Sequence, residues 1–438
     1  MPAPTTDSLE HSLQQVLSSG PLHQARGHLV RVSGTRLLAT LPSVRLGELV
    51  HIGRRTPPLA AEVVAFEQEE VVLAPLGATH SLAPHDPVVA TGRPLCIACS
   101  GALLGRVIDG LGAPLDGPPL SAAPWWPIER PAPAPLSRPR IRQRLVTGMR
   151  AIDTLLPLGQ GQRIGLFAAS GVGKSTLIGQ IAQRADADVV VVGLIGERGR
   201  ELVEFLEDAL GPGGRARSVV VCATSDQPAL VRLKSAHVAM AIAEWFRDQG
   251  ARVLLLMDSV SRFARAGREV ALAAGELPAR RGYPPSVLAA LPALVERAGT
   301  ATQGSITALF TVLVEGNDMD EPVADEMRGL LDGHIVLDRK LAERGRYPAI
   351  CPLQSVSRLM PHILPAEEQG RAAALRQLIA AYEHKRELIQ LGAYSRGSDP
   401  LLDRALNRWP AIEAFLSQAR GEHATLAESQ GALQALLA

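Results

Sequence analysis

Aromatic residues make up only 3% of this 438-residue chain, and between Ala25 and Gly92 the sole one is Phe66. That stretch therefore offers no stacking platform of the kind that grips single-stranded RNA, and its basic residues are scattered. An excess of either charge is also missing. Forty-five Lys and Arg against 44 Asp and Glu leave a formal charge of +1, which gives no support for a nucleic-acid partner. Long apolar runs are lacking too: Val189–Val192 and Val253–Met257 fall far short of the ~20 residues that span a bilayer. The amino terminus, Met1-Pro2-Ala3-Pro4-Thr5-Thr6-Asp7, has neither the basic nor the apolar region of a signal peptide, so a cytoplasmic protein is expected. Four cysteines do not make a disulfide framework in a chain of this length. Cys96 and Cys99 have the spacing of half a zinc site, but Cys222 and Cys351 stand alone and no His pair lies nearby. Buried thiols in a sheet-edge segment are expected instead.

What the chain does have is Gly165-Leu166-Phe167-Ala168-Ala169-Ser170-Gly171-Val172-Gly173-Lys174-Ser175-Thr176-Leu177. A buried strand runs into a glycine-containing loop and then into the start of a helix. Loop amides and the helix N-terminus converge on an anion, Lys174 adds a mobile positive charge for the outer phosphates, and the Ser175 hydroxyl is placed for Mg²⁺. The phosphate cradle is expected to comprise Gly171, Val172, Gly173, Lys174, Ser175 and Thr176. Ala168 stands where the strict motif has Gly. A methyl is tolerable there, because the close approach of backbone to phosphate falls on Gly171 and Gly173.

The remaining chain divides around this loop. Residues 1–24 carry an amphipathic run, Leu9, Leu13, Val16 and Leu17, at helical spacing. From Ala25 to about residue 93, short alternating runs broken by Gly and Pro predict a small β-barrel. Pro114–Pro139 reads as an extended connector, with Trp125 and Trp126 as anchors on the next domain. From Gly161, strands at Arg163–Ala168, Asp188–Leu194, Ser218–Ala223, Arg252–Met257 and Ser305–Val314 alternate with helices, the mark of an α/β fold with a parallel sheet covered on both faces. Beyond Pro365, helices are expected at Ala366–Leu391, Pro400–Asn407 and Ala411–Arg420. The domains then run 1–24, 25–93, 94–365 and 366–438.

Ligands bind at the carboxyl ends of parallel strands, so Glu197, after an apolar strand, is placed near the phosphates, where a carboxylate can polarise an attacking water. Val253–Met257 likewise delivers Asp258 to the Mg²⁺ shell. Arg262, one helical turn on, can face the same site.

Taken together, Ala168–Thr176, Gly196-Glu197-Arg198-Gly199-Arg200-Glu201, Leu256–Phe263, Arg281–Val287 and Ser355-Val356-Ser357-Arg358 resemble the catalytic ATPases of type III secretion systems. These are relatives of the flagellar export ATPase and of the rotary ATP synthase catalytic subunit, and the resemblance runs from about residue 25 to 420. It implies a RecA-like P-loop ATPase core, with a small N-terminal β-barrel and a C-terminal helical domain. It also implies ATP and Mg²⁺ as ligands, with Lys174 and Ser175 on phosphate and metal and Asp258 on the metal through water. Glu197 matches the water-activating glutamate, Arg198 its neighbour, and Tyr347 the aromatic that stacks on adenine. Arg358 matches the arginine finger that reaches a neighbouring subunit's site, so a monomer should be a poor enzyme. The implied partners are those of a homohexamer: stator and stalk proteins and chaperone-bound export substrates, with peripheral association at the cytoplasmic face of the inner membrane. Glu315–Glu326 looks more like the injectisome branch, whereas Leu391–Tyr394 reads in either branch. Cys351 and Asn317 depart from the family at positions without a matched catalytic role. A non-catalytic ring subunit would usually carry Gln at position 197, and an RNA-translocating hexamer would need the stacking surface that residues 25–92 lack.

Overall fold

The computed structural model describes residues 24–53, 56–120, 123–314 and 318–438. The Leu9–Leu17 run, and Glu315, Gly316 and Asn317 of the injectisome-like segment, lie outside the described residues. The amino-terminal strands β1 (Arg26–Ser33), β2 (Arg36–Thr40), β3 (Glu48–Ile52), β4 (Leu59–Glu67), β5 (Glu70–Pro75) and β6 (Pro87–Pro94) close a barrel in the order β1-β2-β5-β4-β3-β6. Leu29, Leu37, Val50, Val63 and Leu73 fill its interior, and closure leaves no free strand edge.

Next come β7 (Cys96–Ala98), β8 (Val107–Asp109) and β9 (Trp125–Pro127), with β7 paired to β9. This pair fixes the connector, but only one of its tryptophans is an anchor. Trp126 packs on the core beneath the Arg130 guanidinium, 4.3 Å from its ring centre, whereas Trp125 is 63% exposed. Cys99 is buried, and burial pushes its thiol up to about 12; Cys96 is half-buried.

After a short pair, β10 (Arg144–Leu145) with β11 (Leu158–Gly159), the main sheet is built from β12 (Arg163–Ala168), β13 (Val189–Glu197), β14 (Ser218–Thr224), β15 (Arg252–Asp258), β16 (Gly299–Thr300), β17 (Ser305–Leu313), β18 (Gly333–Leu337) and β19 (Val356–Ser357). Its order is β19-β18-β12-β17-β15-β13-β14-β8, with β8, β12–β15, β17 and β18 mutually parallel. Near-continuous apolar strands suit a sheet covered on both faces. Val191, Leu255 and Phe310 face one layer of helices, while Val190, Leu256 and Leu309 face the other.

The second layer includes the carboxyl-terminal helices, Ala366–Gln390, Pro400–Leu416 and Leu426–Leu437, whose Leu375, Ile379, Ile412, Phe415 and Leu433 join the same core. Two corrections arise here. Pro400–Asn407 and Ala411–Arg420 are one helix that ends at Leu416, with Pro410 inside it. Pro410 is exposed, so water can serve the carbonyl it frees, and the buried stripe Leu402, Ala405, Ile412, Phe415 continues past it. The last helix was not expected from the sequence. It starts on a reciprocal cap between Thr425 and Glu428.

Candidate active site

Parallel pairing brings the carboxyl ends of four strands level. Leu194 lies beside Asp258 across β13 and β15, and Ala168 beside Leu313 across β12 and β17. The strands run further than expected, so Glu197 and Asp258 are their last residues and inherit their rigidity. Ala169, Lys174, Glu197, Asp258 and Leu313 border one cleft of about 510 Å³.

The loop from β12 turns through Gly171 at φ +81° and Gly173 at φ +87°, values that a side chain would strain. A Cβ on Gly173 would also meet the Tyr347 ring at 3.3 Å. Ala168 is buried as the last residue of β12. Lys174 opens the helix Lys174–Arg184, and Ser175 and Thr176 follow in its first turn.

The Lys174 ammonium donates to Asp258 Oδ1, which also accepts from Thr311 Oγ1 at 2.8 Å. It lies 3.7 Å from Glu197 Oε1. Arg262 pairs with Glu197 Oε2 at 2.9 Å and donates to the Gly196 carbonyl. Gly196, at φ +65°, leaves the room for this arginine: a Cβ there would stand 3.3 Å from Arg262 Cδ. Among the described residues, Glu197 Oε1 is buried without a hydrogen-bond donor. Burial, and then the Asp258 charge, push the Glu197 carboxyl up to about 7, against the opposing pull of Lys174 and Arg262.

Ser175 and Asp258 are hard oxygen donors beside the cradle. Such a pair could hold Mg²⁺, which takes few protein ligands and keeps water and phosphate oxygens in its shell. A second cavity, about 640 Å³, opens on the other side of the loop and is bordered by Gly173, Thr176, Gln180, Tyr347 and Arg420. Tyr347 stands there 47% exposed, open to a flat ligand.

Two of the sequence-derived candidates stand apart. The Arg198 side chain is 69% exposed at the cleft mouth, paired with Glu201 at 3.3 Å. Arg358 follows β19, whose partners Gly333 and His334 open β18, so it lies toward the amino ends of the strands and outside its own chain's cleft. Polar cleft residues outside those candidates include Arg200, Glu201, Glu204, Asp208 and Arg420, and Thr311, hydrogen-bonded to Asp258, was missed as well. A polar residue inside an apolar strand was the available signal for Thr311. Nothing near Arg420 in the sequence links it to a loop some 250 residues earlier.

A parallel sheet that carries this loop, with two carboxylates at the ends of neighbouring strands, defines a RecA-like P-loop ATPase. Residues 148–357 match the nucleotide-binding domain of the ATP synthase alpha/beta family, and residues 364–435 match the T3SS EscN ATPase C-terminal domain. The type 3 secretion system ATPase of Xanthomonas euvesicatoria is 50% identical over 416 residues, 94% of each chain. The flagellum-specific ATP synthase of Bacillus subtilis (strain 168) is 48% identical over 415 residues, again 94% of each. The assembled ATPase EscN from the enteropathogenic E. coli type III secretion system superposes with a TM-score of 0.90 at 43% identity, over 94% of this chain and 100% of that one. EscN in complex with its central stalk EscO gives 0.87 over the same shares. The chain belongs to the type III secretion ATPase family, which is related to the flagellar export ATPases and shares the fold of the rotary ATP synthases.

Proposed function

We propose that this chain hydrolyses ATP with Mg²⁺ in a homohexameric ring, and that it energises the unfolding and export of proteins through a type III secretion system of the injectisome kind. The observation that carries the catalytic reading is the buried Glu197 Oε1, which lacks a donor yet lies 3.7 Å from the lysine of the phosphate loop. A buried carboxylate oxygen without a hydrogen-bond donor is costly, and a water aimed at the γ-phosphorus would satisfy it. In this reading Glu197 accepts the proton of that water as its oxygen bonds to phosphorus and the bond to the bridging oxygen of ADP breaks. Arg262 holds the carboxylate in place, and Lys174 moves from Asp258 to the outer phosphates. Ser175 and Asp258 would hold the metal, which would supply positive charge to offset that of the outer phosphates. Tyr347 stacks on adenine, Arg198 stays at the cleft mouth, and Arg358 completes the site of the next subunit.

The injectisome assignment is supported by the carboxyl-terminal match and by Glu321-Pro322-Val323-Ala324-Asp325-Glu326. The expected partners are a central stalk, stator proteins and chaperone-bound substrates, with the ring held peripherally on the cytoplasmic face of the inner membrane. No helix among the described residues is long and apolar enough to cross it. Residues 25–93, 94–365 and 366–438 serve as barrel, motor and helical domains.

Glu197→Gln tests the mechanism. It should bind ATP as the wild type does while turnover falls by about 10²-fold or more, whereas Lys174→Ala should lose both. A folded Glu197→Gln protein with wild-type turnover would overturn the assignment of the base.

A further inference from the structure

We propose that Arg420, from the segment between the last two helices, binds the α-phosphate of the nucleotide. The inference rests on the reading of this cleft as an ATP site. Arg420 borders both the 510 Å³ phosphate cleft and the 640 Å³ cavity beside Tyr347. The other residues common to both, Gly171, Gly173 and Thr176, belong to the phosphate loop and the first turn of its helix. A nucleotide with its outer phosphates by Lys174 and its base on Tyr347 must pass its ribose and α-phosphate between them, where Arg420 stands.

The pairing of charges in the cleft singles out the same residue. Lys174 is taken by Asp258 and Glu197, Arg262 by Glu197, and Arg198 by Glu201. Among the described residues, Arg200 and Arg420 are the cleft cations without an ion pair, and only Arg420 also borders the Tyr347 cavity. Glu201, Glu204 and Asp208 make the facing wall acidic, so an unpaired guanidinium offsets charge that would otherwise repel a phosphate.

The segment is built to hold this position through its backbone. The Arg420 carbonyl accepts from Arg184 Nη2 at 2.6 Å and from Gln180 Nε2 at 3.2 Å, both on the phosphate-loop helix. Gln418 N donates to the Tyr347 carbonyl at 2.8 Å, its Nε2 donates to the Gly148 carbonyl at 2.9 Å, and its Oε1 accepts from Arg150 N at 2.8 Å. Arg150 also pairs with Glu422 at 2.7 Å. The side chain of Arg420 is thus exposed and free to meet a ligand while its carbonyl is anchored to the phosphate-loop helix.

The test is equilibrium binding of ATP, ADP and adenosine to the full chain, in wild type, Arg420→Ala, Arg420→Lys and Lys174→Ala. Arg420→Ala should weaken ATP and ADP alike, by about tenfold, because both carry the α-phosphate, and should leave adenosine unchanged. Arg420→Lys should fall between, since it keeps charge and loses the bidentate fork, and the deficit should shrink at high salt. Thermal unfolding of Arg420→Ala should match the wild type, because the segment is held by backbone contacts. Unchanged ATP and ADP affinity in Arg420→Ala, with Lys174→Ala impaired, would overturn this inference alone. A loss confined to ATP would overturn the α-phosphate assignment. A wild-type chain that binds neither nucleotide would overturn the ATP site itself.

Discussion

At Glu197, burial pulls against the role proposed for it as the base. Its strand carries it into a cleft that disfavours its charge, and Asp258 on the neighbouring strand adds repulsion, so the carboxyl rises to about 7 despite Lys174 and Arg262. A base must be ionised to take a proton from water. The sign is therefore fixed: kcat/KM, which reports the free enzyme, should fall as pH drops below about 7. Steady-state rates from pH 5.5 to 8.5 check this, and the limb should be missing from the residual rate of Glu197→Gln. A limb unchanged in that variant would assign the titration to another group. At this scale the sequence was most legible where chemistry and chain adjacency coincide: Gly171 to Thr176 are contiguous, and Glu197 and Asp258 each end an apolar strand. Thr311 and Arg420 come to the site from a strand interior and from another domain, and only the folded chain joins them to it.

Between elements, one lysine carries the docking of the barrel. Lys234, on the helix Ala229–Asp248, lies 2.7 Å from Glu62 of β4 and 2.6 Å from Glu129 of the connector. Around it Ala74 and Leu76 of the barrel side pack on Ala223, Leu230 and Val231 of the core. Burial outweighs Lys234 at Glu62 and raises its carboxyl above the usual range. Lys234→Met would leave that carboxylate buried without a cation, at a cost of about 3 kcal/mol. The first thermal transition should fall by several degrees, and adding Glu62→Gln should restore part of it. No shift in the single variant would show that apolar contact alone holds the barrel. The barrel and the sheet were readable because alternation and apolar strands are local patterns. The helical domain was read less well: Pro410 looked like a break because its local cost is visible in sequence, whereas the buried stripe that outweighs it needs the sheet beneath.

On the scale of the whole molecule, the proposed role of Arg358 would tie catalysis to assembly. It is exposed near the amino ends of the sheet's strands, and among the described residues its guanidinium donates only to the Arg328 carbonyl, at 3.4 Å. An arginine that stabilises transition-state charge is worth on the order of 10³-fold or more in related phosphoryl transfer, so on the proposed reading a subunit that keeps Arg358 outside its own cleft would depend on a neighbour. Specific activity should therefore rise with protein concentration as rings form. The most direct measurement mixes Arg358→Ala protein with Glu197→Gln protein, each nearly inactive alone. Mixed rings contain interfaces that combine a wild-type Glu197 from one chain with a wild-type Arg358 from the other. Part of the ATPase activity should return on mixing. No recovery, with subunit exchange demonstrated in the same sample, would contradict a site shared between chains.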